Sequence, residues 1–164
     1  FHEKTIEYIL TKKNQMNDDN TSCLKLVGKN DEDLEIISAY LQDSIVFTKN
    51  ILFLKKNRTF IMILNRFMWE DAEKGVFRKN KRTKCAVKFE EVISVKAKNI
   101  KQKEKDIPLE YLAIQSNLDS RNLFKIEIFF SGGGIITLTS EVIEVYMNDL
   151  GKPWNVKHFP THQI

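Results

Sequence analysis

The chain has 164 residues, of which 42% are hydrophobic and 29% charged, with six glycines and three prolines. This composition is typical of a folded globular chain and excludes a fibrous or low-complexity protein. A chain of this length buries about 70% of the surface that it exposes when unfolded, so its core requires no metal ion and no disulfide.

The net charge of +4 is distributed unevenly. Residues 73–105 contain twelve basic and four acidic residues, a local charge of +8, and the rest of the chain sums to −4. Such a block is either a solvated loop, the commoner case, or a surface for an anionic partner. Only five basic residues are arginines, whose planar guanidinium makes them the more informative candidates. They are Arg58, Arg66, Arg78, Arg82 and Arg121.

The first 22 residues are expected to be an N-terminal extension. Met16 is a candidate natural start, which would make residues 1–15 an upstream or non-native addition. No repeat or linker divides residues 23–164, so we expect one domain there, with an extended tail from about residue 152.

A helix is predicted over residues 31–43. Asn30 can cap its first turn, and Leu34, Ile37 and Leu41 form one apolar stripe. After it the pattern changes to short segments rich in β-branched and aromatic residues, which predict strands separated by turns at Lys49-Asn50 and at 56–58. The segments after the helix are 45–48, 51–55, 59–66, a long one around 85–95 with a bulge at Glu90-Glu91, 109–115, 124–130 and 135–139, and one further short segment, 24–27, precedes the helix.

The C-terminal part predicts a hairpin and then a second helix. Gly132, Gly133 and Gly134 separate two strands, which favours a tight turn over a phosphate-binding loop because no helix follows. Ser140 as a cap and Gly151 as a stop predict a helix over about 141–150.

We therefore expect an α+β fold of about seven antiparallel strands, forming a bent sheet or partly open barrel. The helices at about 31–43 and 141–150 would pack on it, an arrangement that is pleckstrin-homology-like in topology.

No catalytic or metal constellation stands out. His158 and His162 are four residues apart, but Pro160 between them prevents a regular helical pair. Cys23 and Cys85 lack a partner motif, which suggests reduced thiols in the cytoplasm, and no apolar run is long enough to insert into a membrane. We expect no cofactor.

The segment from Leu64 to Glu70 has the densest set of candidate site residues. Asn65 and Arg66 can bind a carboxylate or phosphate and Trp69 offers a stacking face, although a structural ion pair with Glu70 is the commoner arrangement. Asp43, at the end of the first helix, could face the same corner or cap the next strand. The residues that we single out for an anionic partner are Asn65, Arg66, Trp69, Arg78, Lys79, Lys81, Arg82 and Lys84, with Asp43 and Glu70 as a candidate pocket.

Three blocks of the sequence resemble a known family. They are Asp31 to Asp43, Leu64 to Phe67 with Trp69-Glu70, and Gly132 to Glu141 with Ile143-Glu144, Asp149 to Gly151 and Trp154. Together they resemble the alphaproteobacterial family catalogued as domain of unknown function 2948, over about residues 24–162. The resemblance implies a small cytoplasmic bacterial protein and brings no reaction and no ligand.

Three functions are compatible with these residues. The favoured one is a non-enzymatic binding module that uses its basic surface to engage RNA or an acidic protein. The alternatives are a small enzyme with a polar pocket of Asp43, Asn65, Arg66 and Glu70, and a homodimeric scaffold protein.

Overall fold

The computed structural model describes residues 24–68 and 81–155, without the side chains of residues 81 and 152–155. The described part contains one α-helix and nine strands. In chain order they are β1 (Lys25–Gly28), α1 (Asp31–Leu41), β2 (Ile45–Leu54), β3 (Thr59–Phe67), β4 (Lys81–Phe89), β5 (Val92–Lys98), β6 (Pro108–Leu118), β7 (Phe124–Phe130), β8 (Ile135–Ser140) and β9 (Val145–Asn155). Within these residues, no helix has the length and apolar character that crossing a bilayer would require.

The nine strands form one antiparallel sheet in the order β1-β9-β4-β3-β2-β6-β7-β8-β5. Strand β2 pairs with β3 along much of its length, but with β6 only at Ile45–Phe47. The sheet therefore has two halves, β1-β9-β4-β3-β2 and β6-β7-β8-β5, which are joined only by this short pairing. Its edge strands are β1 and β5.

One continuous core connects the two halves of the sheet. Phe60, Leu64 and Val87 from the β3 and β4 side pack in the same buried cluster as Ile128 and Leu138 from the β7 and β8 side. Since both halves bury side chains in one cluster, the sheet is bent over a shared interior. A second, smaller cluster on the other face of the first half contains Ile61, Ile63, Ala86 and Leu150.

The predicted first helix is confirmed as α1, and the apolar stripe fixes its orientation. Leu34, Ile37 and Leu41 are all buried, and the helix packs against β6, β1 and β3. The Asn30 side chain accepts a hydrogen bond from the backbone N–H of Asp33 at 2.8 Å, as an N-cap should.

The predicted C-terminal helix was wrong, because residues 145–155 form strand β9. Val145, Met147 and Asp149 are buried in alternation, which is the period of a strand and not of a helix. The Ser140 hydroxyl, expected as a helix cap, instead lies within hydrogen-bond distance of the backbone carbonyls of Val142, Glu91 and Glu90, the nearest being Val142 at 2.7 Å. Since the pleckstrin-homology-like arrangement required this helix, it is also overturned.

The strand count of about seven was also wrong. The expected turn at Lys49-Asn50 is a register shift inside one ten-residue strand, β2. The expected bulge at Glu90-Glu91 separates two strands, β4 and β5, and Glu91 there adopts a left-handed φ of 57°. The observed fold is thus a nine-stranded antiparallel sheet with one helix.

Candidate functional site

Arg66, the central residue of the predicted corner, is buried in an ion pair. Its Nε and Nη2 atoms each donate at 2.7 Å to the carboxylate of Asp149, and the two side chains are 0% and 5% exposed. A bidentate pair of this kind is strongly oriented. The guanidinium also lies 6.0 Å from the ring centroid of Tyr40 on α1. We infer a structural role for Arg66, since its charge is directed inward.

Asp149 was missed as a partner of Arg66 at the level of sequence. Its carboxylate also accepts a hydrogen bond from the backbone N–H of Leu24 at 3.1 Å, and its own N–H donates to the Leu24 carbonyl at 3.0 Å. Asp149 therefore ties β9, β3 and the start of β1 together. The alternation of Val145, Met147 and Asp149 was the signal that would have placed it on the inner face.

Arg82 lies beside this corner and binds backbone. Its Nη1 donates at 3.2 Å to the carbonyls of Asp43 and Asn65, so it joins the end of α1 to β3. Burial lowers the pKa of Arg82, while the carboxylates of Asp43 and Glu110 act in the opposite direction. Asp43 itself has a left-handed φ of 61°, which suits a residue that reverses the chain after a helix.

The remaining candidates are only partly described. Lys84 is exposed on β4, and Lys81 contributes its backbone to the start of that strand. Trp69, Glu70, Arg78 and Lys79 lie outside the described residues. The structure thus brings Asp43, Asn65, Arg66 and Arg82 to one corner.

A cleft elsewhere on the molecule is lined by both apolar and polar residues. It has a volume of about 740 Å³ and lies between β2 and β5, and we call it the β2–β5 cleft. This volume lies within the usual range for ligand sites, about 300–1,000 Å³. Apolar side chains form its floor, and Lys49, Gln102 and Lys105 line its polar part. The floor comprises Ile51, Phe53, Phe60, Val95, Ile100 and Ile136.

The cleft exists because two strands approach without pairing. Among the described residues, β5 pairs only with β8, and residues 51–54 of β2 pair only with β3. At one end the backbone N–H of Val92 donates to the Arg58 carbonyl at 2.8 Å. At the other end the Thr48 hydroxyl donates to the Glu104 carbonyl at 3.0 Å. Each strand is thus bonded to the segment that follows the other strand, and the stretch between these two contacts is unpaired.

The three glycines position one wall of this cleft. Gly132 and Gly133 have φ of 75° and 78°, a backbone conformation that favours glycine, in the turn between β7 and β8. A Cβ at Gly134 would lie 3.2 Å from Cγ1 of Ile100, a lining residue. The expected tight turn is confirmed, and it also lets the segment after β5 approach closely.

Two lysines, Lys49 and Lys105, line the cleft, and others lie nearby in the sequence. Lys96 and Lys98 are exposed on β5, and Lys101, Lys103 and Lys105 follow in the next loop, against two acids, Glu104 and Asp106. Lys49 Nζ lies 3.5 Å from a carboxylate oxygen of Asp106, so a carboxylate already occupies this rim. Lysine at an exposed rim acts as a point charge, which attracts anions with little directional preference.

The described arginines are used within the molecule. In addition to Arg66 and Arg82, Arg58 pairs with Glu91 and Glu141, and Arg121 pairs with Asp119. The signal expected from the arginines was therefore largely structural, while the lysines carry the charge around the cleft. No group of three potential metal ligands occurs in the stretches 24–68 and 81–155, and His158 and His162 lie outside them.

The described residues form an antiparallel β-sheet bent over one core, and within them the outer edge of β5 has no strand partner. The chain belongs to the family described as Protein of unknown function (DUF2948), whose model matches residues 24–162. No curated protein and no solved structure matches the chain.

Proposed function

We propose that this chain is a non-enzymatic binding module that engages an anionic partner at the β2–β5 cleft, and that this partner is an acidic protein. The observation that supports the proposal is the cleft itself, an apolar groove of about 740 Å³ bordered by lysines. An apolar floor provides binding energy, and the basic rim provides steering and selectivity.

An acidic protein fits the cleft better than RNA does. Proteins that bind single-stranded RNA stack the bases on exposed aromatic faces. The aromatic lining residues are Phe53, which is half-buried, and Phe60, which is only 1% exposed. An unpaired strand edge offers backbone donors and acceptors instead, and these suit a polypeptide.

The two other hypotheses receive less support. An enzyme pocket of Asp43, Asn65, Arg66 and Glu70 would require an accessible Arg66, whereas that guanidinium is buried against Asp149. A homodimeric scaffold remains a prediction for light scattering, and a cytoplasmic location remains a prediction for cell fractionation.

Fluorescence anisotropy with the purified full chain tests the proposal. The probes are labelled poly-glutamate and labelled oligouridylate RNA, each titrated at increasing salt. We expect poly-glutamate to bind more tightly and its affinity to fall as salt rises, because exposed charges are screened. If the RNA binds more tightly, the proposed partner is RNA and not an acidic protein. If neither probe binds, the binding-module proposal is refuted.

A matched pair of variants locates the site. Lys49→Glu, at the rim, should weaken poly-glutamate binding and reduce its dependence on salt, mainly through a slower association rate. Lys25→Glu, on the distant edge strand β1, changes the net charge equally and should have little effect. The proposed basic surface also includes Arg78, Lys79, Lys81, Arg82 and Lys84. A larger loss with Arg78→Ala/Arg82→Ala than with Lys49→Glu would move the site to that surface.

A further inference from the structure

We propose that the partner contributes an extended segment that adds as a strand to the free edge of β5, and that apolar and acidic residues alternate in this segment. The inference rests on the proposed function, which it deepens by stating how the acidic partner is held.

The first argument is the edge itself. Strand β5 pairs with β8 from Val92 opposite Ser140 to Lys98 opposite Ile135. Its other edge has no strand partner in the described parts of the chain. An unpaired edge presents a row of N–H and C=O groups that another strand can satisfy. The stretch 94–98 is long enough for a segment of about five residues.

The second argument is the alternation of β5 side chains. Val95 and Ala97 line the cleft, whereas Lys96 and Lys98 are exposed and belong to the opposite face. Neighbouring strands place paired residues on the same face. A segment beside β5 would therefore direct every second side chain toward the apolar floor and the others toward the lysines. Apolar residues suit the first set, and Asp or Glu suits the second.

The third argument excludes a second copy of β5 as the occupant. Two β5 strands pairing edge to edge would bring Lys96 and Lys98 close to the same lysines, and like charges across strands are destabilising. Lysines on an edge strand commonly prevent such association. An acidic strand converts the same charges into attraction, so these lysines select for the partner's charge.

The peptide experiment uses a short labelled peptide in which valine and glutamate alternate. We expect it to bind at least about tenfold more tightly than a peptide of the same composition with the valines and glutamates in two blocks, because a block peptide places some glutamates toward the apolar floor and some valines toward the lysines. A peptide with lysine in place of glutamate should not bind. Equal affinity of the alternating and block peptides would overturn the inference.

Backbone methylation tests strand addition directly. In an extended strand successive N–H groups point to opposite edges, so two peptides methylated at alternate amides, offset by one residue, block one edge each. Loss of binding by at least one of them supports pairing with β5. Unchanged binding by both would exclude it.

Variants of the protein provide the reciprocal test. The variant Lys96→Glu/Lys98→Glu should no longer bind the valine–glutamate peptide and should bind the valine–lysine peptide instead. A misfolded protein would not show this exchange of specificity. Ala97→Trp should obstruct the cleft, and because Ala97 is exposed the fold should tolerate it. Val27→Trp, at an exposed position on the other edge strand, is the matched control and should bind normally.

The two proposals can fail separately. If poly-glutamate binds with salt dependence while sequence pattern and backbone methylation have no effect, strand addition is refuted and the binding module stands. If no acidic probe binds, both are refuted.

Discussion

At the scale of single residues, the buried pair of Arg66 and Asp149 is the interaction whose loss should cost most. Both side chains are removed from water, so each charge depends on the other. Removing only one partner leaves a buried charge without this counter-charge. The pair therefore matters chiefly through the cost of breaking it.

We expect Arg66→Met to lower the free energy of unfolding by about 3–5 kcal/mol. The double variant Arg66→Met/Asp149→Leu should lose less, although the Leu24 N–H then lacks its carboxylate acceptor. Urea denaturation measures both. Arg121→Ala, which breaks the exposed pair with Asp119, is the control and should cost at most about 1 kcal/mol. If the double variant were as unstable as the single one, our account of the pair would be wrong.

Asp119 gives a prediction for pH. Its Oδ1 accepts hydrogen bonds from the backbone N–H groups of Leu123 at 3.0 Å and Arg121 at 2.8 Å, in the turn between β6 and β7. The Leu123 N–H and then the Arg121 side chain lower the pKa of Asp119 below its ordinary value of 3.8. The ionised Asp119 carboxylate therefore stabilises the fold at pH values above 3.8. This stabilisation is lost as the pH falls through the lowered pKa of the folded state.

Asp119→Asn should accordingly be less stable than the parent chain near neutral pH, with the difference narrowing as the pH falls below about 3.8. Thermal unfolding across this range measures the difference, and NMR titration of the Asp119 carboxyl measures the pKa. A midpoint at or above 3.8 would contradict the prediction.

At the scale of elements, α1 is the part that the sequence predicted best. Its cap and apolar stripe follow from local chemistry, and the helix begins at Asp31 as expected, although it ends at Leu41, two residues before the predicted end. Local signals suffice when one element has one clear period. In residues 141–150 the apolar residues fit both a helical period and a strand period. The capping signals of Ser140 and Gly151 favoured the helix, whereas the structure has a strand.

Replacement of the α1 cap should have a measurable cost. Asn30→Ala removes the acceptor for the Asp33 N–H and should lower the free energy of unfolding by about 1 kcal/mol. Glu35→Ala, on the exposed side of the same helix, should change it by no more than about 0.5 kcal/mol. Chemical denaturation of the two variants provides the comparison, and equal effects would argue against a cap.

The candidate site shows the limit of sequence in physical terms. Arg66 was selected because its side chain can bind anions, but its exposure depends on which face of β3 is covered, and only tertiary packing decides that. The β2–β5 cleft was not predicted, because it arises from two strands that are distant in sequence and do not pair. From the second half of the basic block, only Lys105 among the lysines lines this cleft, so the role of the block stays a prediction.

At the scale of the whole molecule, the shared core should make both halves of the sheet unfold together. Leu64 on β3 and Leu138 on β8 belong to different halves but to one buried cluster. Loosening either side should destabilise the entire fold.

Leu64→Ala and Leu138→Ala should each lower the free energy of unfolding by about 2–5 kcal/mol and retain a single transition. Near-UV and far-UV circular dichroism should give coincident curves. Leu118→Ala, at an exposed position on β6, should change stability little. Two separate transitions in either core variant would show that the halves are independent.

The sheet order has a consequence for the chain as it is synthesised. Strand β9 lies between β1 and β4, and Lys25 is paired with Asn148, 123 residues later. At translation rates of about 5–20 residues per second, β1 waits on the order of ten seconds for its partner. Strand β4 likewise lacks its second neighbour from its own synthesis until β9 emerges. The nascent chain thus carries open strand edges until β9 has been synthesised.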